Sequence, residues 1–159
     1  MLSRILPQRL DNDYRGYKAA IWIFAIITLM KLGLGLVHIF SADGGAQSVT
    51  HIPLDRYPAG AAQNVVGLFA RMGLEQLLLG LLFVTVLLRY RAMIPLMFLF
   101  AVVAQAGAFA LAAGKPLSLT VPSGAAPVHL VLSVLYITGL VLSLLGSGYA
   151  GKAPGASAR

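Results

Sequence analysis

Four stretches of this chain, about residues 19–40, 63–88, 92–114 and 126–146, stay apolar for some twenty residues or more. At 1.5 Å per residue, about 20 helical residues cross a hydrocarbon core of roughly 30 Å. Lipid offers a backbone N–H or C=O no partner, so a spanning run must satisfy its own ladder as helix. The sequence therefore predicts an all-α, integral membrane, up-down four-helix transmembrane bundle. Composition agrees. Of the residues, 58% are hydrophobic and 11% are charged, against roughly 25% charged in soluble domains. Four spans exhaust 159 residues, which predicts one domain. There are no cysteines, so disulfides, thiolate metal sites and a cysteine nucleophile are excluded.

The ends and connections are polar. Residues 1–18 read as a leader, with Arg4, Arg9, Arg15 and Lys18 against Asp11 and Asp13. Leu2, Ile5, Leu6 and Leu10 outline a short interfacial helix that Pro7 interrupts. The first apolar run is too long for a signal-peptide core, and no small-residue cleavage site follows it, so it reads as a retained signal anchor. Tyr14, Tyr17 and Trp22 suit an aromatic belt. Residues 41–62 and 115–125 are broken by Gly and Pro and read as loops. The 147–159 tail reads as flexible.

The formal charge is +7, yet the basic residues are scattered along the edges of apolar runs. That is a topology signal rather than a nucleic-acid footprint. The leader, the Arg89–Arg91 turn and the tail carry eight of the twelve Lys and Arg residues. The positive-inside rule then predicts a multi-pass membrane protein with both termini cytoplasmic.

Three ionisable residues fall inside the spans: Lys31 in the first, Arg71 and Glu75 in the second. Each costs about 2.5–3.5 kcal/mol at the bilayer centre on the insertion scale. They are expected to pair, or to face a wet cavity. Arg71 and Glu75 stand at i,i+4 on one helix face. Gln105 lies at similar depth in the third span, and His38 and His129 lie further out. In the fourth span His129, Ser133, Tyr136, Ser143 and Ser147 follow helical spacing. Polar residues are expected to turn inward, giving a polar seam along the axis.

Two interpretations of that seam stand side by side. One is a buried salt-bridge knot that sets helix register. The other is a working site: a proton or ion relay, or an anion site, since two bases against one acid leave a positive surplus. Glu75 is expected to contact Lys31 or Arg71. His38 and His129 would suit axial haem ligation, or a metal together with His51. Tyr136 and His129 would suit a quinone headgroup, although Ser and Tyr in spans more often join helices. No cofactor is expected, with quinone and haem kept as alternatives, and no metal motif is present. Gly33-x-Gly35 and Gly44-Gly45 lack the lysine and the strand–helix context of a phosphate loop. Ala104, Ala108 and Ala112, with Gly73, Gly80, Gly139 and Gly146, predict close helix packing, or alternatively a homodimer seam.

The segment Phe69-Ala-Arg71-Met-Gly73-Leu-Glu-Gln-Leu-Leu-Leu-Gly80-Leu-Leu, followed by the short basic turn Arg89-Tyr90-Arg91, resembles the second span of the DoxX-like group of small bacterial four-helix membrane proteins. Met72 stands where that pattern has a second glycine. The resemblance implies the same four-span fold and a place in the bacterial inner (cytoplasmic) membrane. It also implies a link, in some members, to respiratory or quinone-coupled redox systems. The sequence thus favours a non-catalytic accessory subunit with a charge-paired interior, living in lipid as a homo-oligomer or within a larger membrane complex. A quinone- or haem-binding redox component is the first alternative. The second is a small proton-coupled carrier acting as an oligomer, though no inverted repeat supports it.

Overall fold

The computed structural model describes residues 2–119 and 121–145. Helices account for the regular structure of these residues: α1 (Leu2–Ile5), α2 (Lys18–Phe40), α3 (Ala59–Arg89), α4 (Ile94–Gly114) and α5 (Ala125–Leu145), with 3-10 turns at Leu54–Arg56 and Arg91–Met93. Four helices are long and apolar enough to cross a membrane. The fold is the all-α four-helix bundle that the apolar runs require. Gly146, Ser147 and the 147–159 tail lie outside the described residues.

Local chemistry explains the helix limits. α1 is a single turn that stops short of Pro7, because a proline lacks the amide the ladder needs and pushes its predecessor out of helical geometry. α3 begins at Ala59, right after Pro58, four residues before the apolar run. Its 31 residues measure about 46 Å, so the helix outlasts the hydrocarbon it has to cross. Pro95 sits in the first turn of α4, where its missing amide costs no bond.

Contacts at known heights give the helix directions. Gly35 meets Gly73, and Leu32 meets Gly80, while Phe24 stacks on Phe83 with ring centroids 4.8 Å apart. α2 and α3 are therefore antiparallel. Phe98 lies against Gly139 and Gln105 meets His129, so α4 and α5 are antiparallel too. Tyr17 N–H donates to the Leu142 carbonyl at 3.1 Å, which joins α2 to α5. Around the bundle the order is α3, α2, α5, α4. α4 leans on α5 and meets α2 and α3 only slightly.

The main core lies toward the end that carries the leader and the Arg89–Arg91 turn, here the basic end. Phe24, Ile27, Phe83, Val86, Ile94, Phe98 and Tyr136 are buried together there. Phe98 stands edge-on to Phe24 at 5.5 Å, an arrangement aromatic pairs prefer. A second, smaller cluster at the opposite, loop end buries Ala46, Ile52 and Leu54 beside Val65, Val66 and Phe69 of α3.

Candidate functional site

The mid-span charges do not form a buried knot. Arg71 Nε and Glu75 Oε1 lie 3.9 Å apart, with their side chains 80% and 72% exposed. The expected inward turn of these two residues is corrected by the packing of α3. Gly73 and Gly80 supply the flat strip that lets α2 approach, and a Cβ at Gly73 would stand 2.6 Å from the His38 Cβ and 2.9 Å from the Gly35 carbonyl oxygen. At about 100° per residue, Arg71 and Glu75 lie about 160° around the helix from Gly73, one on each side. The close seam with α2 thus turns the ion pair outward. Glu75 takes Arg71 as its partner rather than Lys31. Lys31 is half-buried on α2, and among the described residues no carboxylate lies within 4.0 Å of its ammonium.

The polar stripe of α5 also divides. Tyr136 and Ser143 are buried, but His129 is exposed. Ser133 Oγ donates to the His129 carbonyl at 2.7 Å, and Ser143 Oγ donates to the Leu140 carbonyl at 2.7 Å. Both serines therefore satisfy themselves on their own helix. Ser147, the last member of the expected stripe, lies outside the described residues. Gln105 Nε2 reaches the His129 ring at 3.2 Å and its carbonyl at 3.3 Å. This polar clasp ties α4 to α5 near the loop end.

His38 does something the sequence did not suggest. Its ring is buried, with Nδ1 2.6 Å from the Gly44 carbonyl oxygen and an edge contact to Phe69 at 5.8 Å. Gly44 and Gly45 have φ of +60° and +78°, which glycine adopts without a steric cost. Asp43 closes the turn. Its Oδ1 accepts the Gly45 amide at 2.9 Å, and its Oδ2 accepts those of Gln47 at 3.0 Å and Ser48 at 2.6 Å. Desolvation pushes the Asp43 carboxyl up, but the amide donors outweigh it and hold its pKa down at about 2. His51 has φ +67°, and its Nδ1 lies 2.8 Å from the Pro122 carbonyl oxygen, binding the two loops together. The residues after α2 thus form a built cap over α3 rather than a loose connection. The glycine pair was the available signal, because two adjacent glycines mark a turn of left-handed φ.

The seven singled-out residues are therefore separated. Arg71 and Glu75 are together on the outer face of α3, and Gln105 and His129 are together on α4 and α5. His38 is sealed under the loop cap, Lys31 is half-buried on α2, and Tyr136 belongs to the core. Among the described residues no group of three or more His, Asp or Glu side chains is close enough to hold a metal. Comparison of the chain with protein-family models, curated proteins and solved structures finds no match.

Proposed function

We propose that this chain is a non-catalytic accessory subunit of a larger assembly in the bacterial inner membrane, with both termini cytoplasmic, and that it docks partner helices on the outer face of α3. One observation carries this reading: an Arg–Glu pair stands halfway along an apolar span on a face that no other helix of the described residues covers. Lipid gives such groups no partner, and each costs about 2.5–3.5 kcal/mol at the bilayer centre. Protein from another subunit would relieve that cost. Arg71 and Glu75 balance each other's charge on that face, so the matching helix is expected to bring a strongly polar group that hydrogen-bonds the pair at the same depth. Kinship with the DoxX-like group belongs to this proposal and rests on the Phe69–Leu82 segment and the number of spans.

The quinone and haem alternatives draw less support. His129 and Tyr136 are seven residues apart, about 10 Å along the helix, and one is exposed while the other is in the core. A carrier would need a polar path through the middle, where Phe24, Phe83 and Phe98 pack.

The test is a photo-crosslinking residue placed at Leu68 or Leu78, both exposed close to the ion pair, in cells with an intact membrane. The expected result is an adduct with a different protein that also co-purifies in mild detergent. An adduct of twice the chain's own mass would point to a homo-oligomer instead, and labelling of lipid alone would sink the proposal.

A further inference from the structure

A cavity stands at the basic end, away from the seven residues singled out above. It measures about 390 Å³ and lies between the leader, the first turn of α4 and the end of α5, with Arg4, Arg9, Tyr14 and Arg15 on its wall. The leader is pinned over it from both sides. Arg4 donates to the Leu144 carbonyl at the end of α5, and the Ala92 amide donates to the Asp11 carbonyl at 3.3 Å. Gly16 closes the wall, since a Cβ there would collide with the Tyr14 ring and the backbone of Ser143.

The charge of this wall is not balanced. Asp11 and Asp13 also line it, but both are engaged locally. Asp11 Oδ1 accepts the Asp13 amide at 3.1 Å, and Asp13 Oδ2 accepts Arg15 Nε at 3.5 Å. Three arginines against two aspartates leave one positive charge in surplus. Arg9 makes no hydrogen bond or ion pair with another described residue. The Tyr14 hydroxyl is fully buried and has no partner among the described groups. A buried donor left unpaired is costly, and burial pushes its pKa up to about 12, so the hydroxyl stays protonated beneath the wall. Arg9 is the unpaired donor at the surface of the cavity.

The surroundings say what the unpaired Arg9 would meet. The leader exposes Leu6 and Leu10 on either side of Arg9, apolar side chains suited to the headgroup–acyl boundary. The cavity opens where the helices leave the hydrocarbon, the level at which basic pockets between spans meet lipid headgroups. We propose that this cavity seats the phosphodiester headgroup of one anionic phospholipid, with Arg9 as the donor to the phosphate oxygens. A singly charged phosphodiester matches the single surplus charge, and the acyl chains would run along α4 and α5. The inference does not depend on the accessory-subunit reading.

The test uses the full-length protein, delipidated in a neutral detergent. It is titrated with phosphatidylglycerol, with phosphatidylcholine, and with soluble glycerol 3-phosphate. Native mass spectrometry reads retained lipid, and a thermal melt reads stabilisation by mass action. Wild type should retain one phosphatidylglycerol per chain and melt several degrees higher with it. Phosphatidylcholine should be retained about ten-fold less, and glycerol 3-phosphate should shift nothing. Arg9→Gln should cut retention about ten-fold. Arg9 is exposed and bonded to no other described residue, so Arg9→Gln should melt as wild type without lipid yet lose most of the lipid-dependent rise, and Arg9→Lys should restore part of it. That pair of signs separates a headgroup ligand from a merely structural arginine. Arg56→Gln, at the loop end, should behave as wild type. Full retention in Arg9→Gln, equal retention of the two lipids, or a complete shift with glycerol 3-phosphate alone would each overturn the proposal.

Discussion

At the basic end four helices close around Phe24, Phe83 and Phe98, and side chains from all of them are buried in one cluster. At the loop end α2 and α3 stay together under the capping loop, but α4 is exposed along most of its length. From Val103 to Gly114 every residue except Gln105 is open. The two halves differ because their side chains differ. Large aromatic residues at the basic end fill the space between helices, whereas α4 beyond Val103 is largely Ala and Gly and offers little to hold a neighbour at a distance. Small residues suit close backbone approach, and lipid gives no hydrophobic force to gather helices that lack it. One half is finished within the chain, and the other, with Arg71, Glu75, Gln105 and His129, is open to protein from outside.

The sharpest way to break this contrast is to remove one aromatic ring from each half of α4. Phe98→Ala should cost about 3–5 kcal/mol, the usual range for emptying a buried aromatic site. Phe109→Ala, exposed on the same helix, should cost less than about 0.5 kcal/mol in the isolated chain. Reversible unfolding of both variants in mixed micelles measures the difference. Equal losses would mean that the loop end of α4 is packed in solution, and the division into two halves would fail.

A second pair asks whether the α2–α3 seam sets the outward direction of the ion pair. Gly73→Leu forces a side chain into the His38 Cβ and the Gly35 carbonyl and should destabilise by about 2–3 kcal/mol. Gly67 stands on the same helix with nothing within 4 Å of its Cβ position. Gly67→Ala should therefore stabilise by up to about 1 kcal/mol, the helix-propensity difference. Opposite signs from two glycines six residues apart would locate the seam. A loss at Gly67 would show that the face opposite α2 is already occupied.

These contrasts also mark how far the sequence could be read. The four spans were legible because an apolar run of some twenty residues has only one way to satisfy its backbone in lipid. The Arg71–Glu75 pairing was legible from its i,i+4 spacing. Its direction was not. The inward rule assumes that the interior of one chain is the only place free of lipid, and here Gly35, Gly73 and Gly80 set the packing face first. The cap over α3 was hidden for another reason. Ala46, Ile52 and Leu54 are too few to form a period, and they meet Phe69 only after Gly44 and Gly45 have reversed the chain. The cavity beneath the leader was out of reach altogether, because it depends on Arg4 meeting a carbonyl 140 residues away.

The smallest effect concerns that cap and responds to acid. Asp43 has its folded pKa depressed to about 2 from an ordinary value of 3.8. A depressed carboxyl stabilises the fold above its unfolded value, and the contribution fades as pH falls toward the folded one. The cap should thus hold its full strength above about pH 4 and weaken progressively down to about pH 2. Asp43→Ala removes an acceptor for three backbone amides, much as loss of a helix cap does, and should cost about 1 kcal/mol. The variant should also lose the acid-dependent component between those pH values, while Asp55→Ala, which meets only the Gln47 side chain at 3.2 Å, should keep it. Hydrogen exchange at the Gly45, Gln47 and Ser48 amides reads this directly. Fast exchange of those amides in wild type at neutral pH would mean that the cap does not persist in solution. The loop end would then be open along α3 as well as α4, and His38 would lose the partner that keeps it buried.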